Sequence, residues 1–175
     1  NTTGGGNTAS GVQALFYNTE GYSNTANGDQ ALFMNVTGRN NSAFGKNALH
    51  SNTSGYSNVA IGVGALYSNT GQNNLVAIGD SAMFSTTYDQ SKCNVAIGSK
   101  ALFANISGGY NTASGYKALY SNTNGYHNTA NGVFALKSNT SGYENTAMGS
   151  SALEFNTTGS KNAALGYQVL DHNTT

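Results

Sequence analysis

Charge and cysteine are what this sequence most lacks. Only 7 basic and 7 acidic side chains occur among 175 residues, and the net charge is zero. Such a chain carries no basic footprint for nucleic acid or for an anionic membrane. A single cysteine excludes an intrachain disulfide framework, so redox compartment cannot be read from it. No apolar run approaches the roughly 18 residues of a membrane-spanning helix, and no basic-then-apolar leader opens the chain. At 8% charged, the composition departs from the about 25% of ordinary globular domains. Disordered chains share low hydrophobicity but are poor in aromatics, whereas 11 Tyr and 7 Phe are present here.

What is present is a repeat. Cutting before residues 1, 18, 35, 52, 69, 86, 105, 122, 139 and 156 gives ten blocks, nine of 17 residues and one, from Thr86, of 19. They read approximately N-T-x-G-Y-x-N-T-A-x-G-x-x-A-L-x-S. Column nine is Ala in all ten blocks and column eleven is Gly in all ten. Column fourteen is Ala except at Val169, and column fifteen is Leu except at Met83. Column seven is Asn except at Leu75. A period of 17 is too short for paired-helix repeats, which run about 33 to 47 residues. Gly, Asn, Thr and Ser also disfavour helix. The reading is a single repeat domain over residues 1–175: an all-β parallel β-solenoid, or β-roll, of about ten 17-residue coils. Two short strands per coil are expected, over Thr8–Gly11 and Ala14–Tyr17 and their copies. The Asn-Thr-x-Gly corners are expected to supply the φ > 0 residues.

Stacking turns each column into a ladder of like neighbours. Columns seven to eleven and fourteen to fifteen carry no charge and are the buried candidates. Period-two alternation sets Asn7, Ala9 and Gly11 on one side of the first strand, and Thr8 and Ser10 on the other. In the middle of the chain that second side becomes Val59 and Ile61, Val76 and Ile78, then Val95 and Ile97. These six are the candidate subunit interface, the alternative being ordinary core. The Asn columns are expected to stack as amide ladders.

Chemistry is scarce. His50, His127 and His172 fall in different columns, Cys93 has no partner cysteine, and the carboxylates are scattered. No catalytic group, metal site or cofactor is expected, and the chain is read as non-enzymatic. Charges meeting in a ladder, such as Asp29 with Lys46, His127 with Glu144 and Lys161, or Lys137 with Glu154 and Asp171, are expected as solvated pairs. Tyr22, Tyr56, Tyr126 and Tyr143 form a candidate exposed aromatic ladder in column five, and Phe16 to Tyr120 form another in column sixteen. Either stacking support or a platform for sugars would use them. Sequons occur at Asn1, Asn35, Asn40, Asn52, Asn105, Asn139, Asn156 and Asn173. All but Asn40 lie in column one, where Asn-Thr also serves as a corner. Glycosylation there would line the rod with glycans. The insertion at Thr86 to Cys93 is the singular place in the chain, and the first place to seek a specific contact.

The segments Asn58-Val59-Ala60-Ile61-Gly62 and Asn94-Val95-Ala96-Ile97-Gly98 lead on to Gly64-Ala65-Leu66 and Lys100-Ala101-Leu102. They resemble the head repeats of trimeric autotransporter adhesins and related phage and bacterial tail-fibre repeats. The resemblance runs along the whole chain at the level of the repeat. It implies three parallel β-rolls side by side and a role in attachment or as a spacer.

The functional expectation is a non-enzymatic structural or adhesive fibre segment, extracellular or on a cell or virion surface, and a fragment of a longer fibre. Self-association as a homotrimer or filament is expected, with a host-surface glycan or protein as a further partner. No nucleic acid, and no membrane insertion by this segment, is expected. Two alternatives stand beside it. One is an ice-binding solenoid, suggested by the column-two threonines Thr19, Thr53, Thr70, Thr123, Thr140 and Thr157. The other is a carbohydrate-active solenoid, which would need carboxylates clustered in adjacent coils.

Overall fold

A computed structural model describes residues 1–87 and 93–174. Ten strands of three residues form one parallel sheet in chain order. They are β1 (Thr8–Ser10), β2 (Thr25–Asn27), β3 (Ser42–Phe44), β4 (Val59–Ile61), β5 (Val76–Ile78), β6 (Val95–Ile97), β7 (Thr112–Ser114), β8 (Thr129–Asn131), β9 (Thr146–Met148) and β10 (Ala163–Leu165). Each strand pairs with the copy one coil away, so the chain is a parallel β-solenoid. The register follows the columns: Ala9 pairs with Ala26, and Ile61 with Ile78. It also holds across the 19-residue block, where Val76 pairs with Val95.

Each coil contains one strand, not two. The expected second strand at Ala14–Tyr17 and its copies is a run of turns. Columns thirteen and fifteen are left-handed, as at Gln30 (φ 56°) and Leu32 (φ 52°). A parallel strand needs φ near about −120°, so two such residues two apart wind the chain instead. The Ala31 amide donates to the Gly28 carbonyl at 3.2 Å, with Gln30 at the third position of a type II turn. These turns still bond coil to coil, as Leu32 N to Ala48 O does at 3.0 Å.

The corner residues are also not those expected. Column-one and column-seven asparagines are absent from the left-handed set. That set comprises column six (Ser23, φ 53°; Asn40, φ 55°), columns thirteen and fifteen, and the column-eleven glycines. The column-four glycine is there for space: a Cβ at Gly21 would run into Asn18 Oδ1 and the Gly38 carbonyl.

Leucine at φ near +50° is unusual, since the left-handed region costs an L-residue roughly 1–2 kcal/mol. Burial of the side chain offsets it: Leu32, Leu49, Leu66 and Leu102 are fully buried in the axial core, with the alanines of columns nine and fourteen. Burying a leucine contributes about 1.5–3 kcal/mol. The backbone also selects against β-branching, which suits φ > 0 poorly. Leu66→Met, copying Met83, is therefore expected to lose under about 1.5 kcal/mol. Leu66→Ile is expected to lose about 1–2 kcal/mol more despite equal volume. Urea unfolding of the two variants checks this, and equal losses would remove the backbone explanation.

Two asparagine columns complete the interior. In column one, where successive coils both carry asparagine, the Nδ2 donates to the Oδ1 of the asparagine one coil earlier, as Asn122 does to Asn105 at 2.9 Å. Its second hydrogen goes to the column-four carbonyl of its own coil, Gly125 O, at 3.0 Å. In column seven, Asn111 Oδ1 accepts from the Asn128 backbone amide at 2.9 Å, while its Nδ2 reaches the same Gly125 carbonyl at 2.8 Å. The buried amides thus satisfy backbone groups that the corners leave unpaired.

Candidate functional site on the outer sheet face

Because column nine points inward, columns eight and ten must point outward. Ala60, Ala77 and Ala96 are fully buried, whereas Ile61 is 40% exposed and Ile97 43%. Val59, Val76, Val95 and Ile78 are half-buried by their neighbours in the sheet. The reading of these six as ordinary core is thereby overturned: they lie on the outer face of a sheet whose inner face is alanine. Phe44, in column ten of β3, is exposed on the same face and extends the apolar area. It spans β3 to β6. Coils on either side present Thr25 and Asn27, or Thr112, Ser114, Thr129 and Asn131, at the same positions. The face is therefore apolar in the middle and polar in the coils just beyond, with Met148 and Leu165 exposed again on β9 and β10, and no charge falls in columns eight or ten.

The aromatic columns divide. Column sixteen stacks seven rings without a gap, from Phe16 through Phe33, His50, Tyr67, Phe84 and Phe103 to Tyr120, with centroids 4.8–5.7 Å apart. Their faces cover one another, so a sugar would meet ring edges. Burial within this stack lowers the pKa of His50, which keeps that ring uncharged at neutral pH. Column five is not a continuous ladder. Tyr126 stacks on Tyr143 at 5.0 Å, Arg39 lies over Tyr56 at 4.5 Å, and Tyr22 is exposed.

The sequons fare differently from the expectation. Asn35, Asn52, Asn105, Asn139 and Asn156 are fully buried, and their side chains are members of the column-one ladder. A glycan would replace an Nδ2 hydrogen that the ladder uses. Asn1 is exposed and Asn173 half-buried, at the two ends of that ladder. Asn40, in column six, is exposed.

Most column-two threonines spend their hydroxyl hydrogens on the rod's own backbone. Thr19, Thr53, Thr140 and Thr157 each donate to a carbonyl of the next coil at 2.9–3.2 Å. Lys46 pairs with Asp29 at 3.1 Å and Lys137 with Glu154 at 2.9 Å. Burial pushes the Glu154 carboxyl up, but bonds from Ser151 and Lys137 outweigh it and hold its pKa below the usual value. Asp171 faces His172, at 2.9 Å, rather than Glu154. Among the described residues, no three His, Cys, Asp or Glu side chains are placed to hold a metal ion.

The irregular block is described only at its borders. Residues 88–92, including Asp89 and Lys92, lie outside the described residues, and Cys93 is exposed. Beside them both amide ladders change. Thr86 replaces asparagine in column one, and Asn69 Oδ1 and Thr86 Oγ1 are buried without a partner among the described residues. Leu75 replaces asparagine in column seven, and Gln72 takes the place of the column-four glycine.

No protein-family model, curated protein or solved structure matches this chain.

Proposed function

We propose that this chain is a non-enzymatic segment of an extracellular fibre, a stiff rod for attachment or display that assembles by packing outer sheet faces side by side as a homotrimer. The observation that carries the reading is the exposed Val–Ile area on β3 to β6. Contiguous exposed apolar surface on an otherwise polar protein marks an association site. A short-stranded parallel sheet normally has both faces covered, and here the chain covers only one. The axial hydrogen bonds and the stacked rings of column sixteen suit a load-bearing rod. The resemblance of the Asn58 and Asn94 blocks to adhesin head repeats supplies the number three and the surface location.

Light scattering on the purified chain tests it. The expected mass is three times 18.0 kDa. Ile78→Glu is expected to yield a monomer that keeps its β circular dichroism, because a carboxylate buried at such a contact is unpaired. A folded wild-type monomer would remove the interface and with it this reading.

A further inference from the structure

The sequence contains three Asn-Gly pairs, at Asn27, Asn124 and Asn131. An asparagine before glycine is the most readily self-modified dipeptide, since no Cβ on the following residue shields the attacking amide. All three asparagines are exposed, so access to water does not separate them. Their glycine amides do. Gly28 N donates to Ser10 O and Gly132 N to Ser114 O, both at 2.8 Å. These are coil-to-coil bonds at the ends of β2 and β8, and the nitrogen cannot turn toward the side chain without breaking them. Asn124 lies outside any strand. The Thr123 and Asn124 amides donate to Thr140 O at 2.9 and 3.2 Å, but among the described residues no acceptor takes the Gly125 amide. Some glycines at the equivalent corner are engaged, as Gly21 N is with Val36 O at 3.0 Å, but of the glycines at that corner only Gly125 follows an asparagine.

A second feature favours the same position. Thr123 Oγ1 lies 3.1 Å from Asn124 Oδ1 and 3.0 Å from Thr140 O, so its one hydrogen is shared between two acceptors. On Oδ1 it withdraws electron density from Cγ and stabilises the oxyanion that forms when Cγ is attacked.

We propose that Asn124–Gly125 is a self-modification site that converts to a succinimide and then to aspartate or isoaspartate in the folded rod. The Gly125 nitrogen attacks Asn124 Cγ and a new N–C bond forms. The Cγ–Nδ2 bond breaks, and ammonia departs with the proton that the Gly125 nitrogen loses. Water then opens the ring at either carbonyl. No oxidant or cofactor is needed. The product carries a carboxylate on an exposed column that has one acidic residue, Glu20, in the whole chain. The isoaspartyl form also lengthens the backbone just before Gly125, whose carbonyl receives both Asn111 and Asn122.

The test is peptide mapping by mass spectrometry after warm incubation at mildly alkaline pH, of the folded chain and of the same chain in denaturant. Folded, the peptide containing Asn124 is expected to convert at least about fivefold faster than those containing Asn27 or Asn131, the rate equivalent of one ladder hydrogen bond. Unfolded, the three are expected to convert at similar rates. Thr123→Val is expected to slow conversion at Asn124 in the folded chain only. Equal rates at all three sites in the folded chain would overturn the proposal, as would an intact Asn124 under conditions that convert it when unfolded.

Discussion

Gly62→Ala is expected to destabilise the rod by more than about 4 kcal/mol, well beyond an ordinary single substitution. Two causes act together. Gly62 sits at φ 130°, a region that is essentially glycine's alone. A Cβ there would stand 2.5 Å from Gly79 O and 2.6 Å from Gly79 C. Those are backbone atoms of the same column one coil on. Gly79 cannot yield, because its own amide donates to Ile61 O at 2.7 Å. The substitution therefore separates two coils at the sheet. Gly71→Ala is the matched control: its Cβ would approach only Ser54 Oγ, at 3.2 Å, and that side chain can rotate away. Urea denaturation of both variants checks the pair. Similar losses in the two would mean that inter-coil contact does not explain the column-eleven glycines.

Asn122→Asp is expected to be nearly as severe at neutral pH and much milder in acid. Asn122 Nδ2 donates to Asn105 Oδ1 and Gly125 O, and Asn122 Oδ1 accepts from Asn139 Nδ2 at 2.8 Å. An ionised aspartate would turn lone pairs toward two acceptors in a fully buried site. Desolvation and these acceptors both favour the protonated acid, so its folded pKa rises above the unfolded value of about 3.9. The folded state then binds more protons than the unfolded state, and stability falls as pH rises. The slope is about 1.4 kcal/mol per pH unit between the two pKa values, with no further loss above the folded one. Unfolding free energies at a series of pH values, variant against wild type, read this directly. A pH-independent difference would show that the aspartate is hydrated and the ladder open.

The sequence made the coil and its register legible, because a ladder fold writes its geometry as identity in columns. Ala9 and its copies marked the inner face of the strand, and Val59 to Ile97 marked an unusual outer one. The second half of each coil was not legible. Ala14 to Tyr17 make an apolar run of the length a short strand would have, and only the absence of Val and Ile from column fifteen signalled left-handed backbone. The amide ladder of the column-one asparagines was legible in their recurrence, but column one did not stand among the buried candidates, because asparagine is also a common turn residue. Their burial depends on a backbone carbonyl three residues on that takes the second Nδ2 hydrogen, which a residue pattern does not display. The self-modification site proposed at Asn124 turns on a following glycine amide that has no acceptor among the described residues, and no column reports that.

In both asparagine columns, side-chain bonds join like positions of successive coils 17 residues apart, and the column-seven Nδ2 groups reach in addition the column-four carbonyl of the next coil, 14 residues on. Rod length is consequently quantised. Adding or removing whole 17-residue blocks leaves each ladder with the same kind of neighbour above and below. Adding a single residue within a strand would instead send Ala60 outward and Val59 and Ile61 into a space that fits only alanine. The block beginning at Thr86 is two residues longer than the others, and β6 still pairs in register with β5. Length in this rod is a modular variable, tuned by duplication of coils.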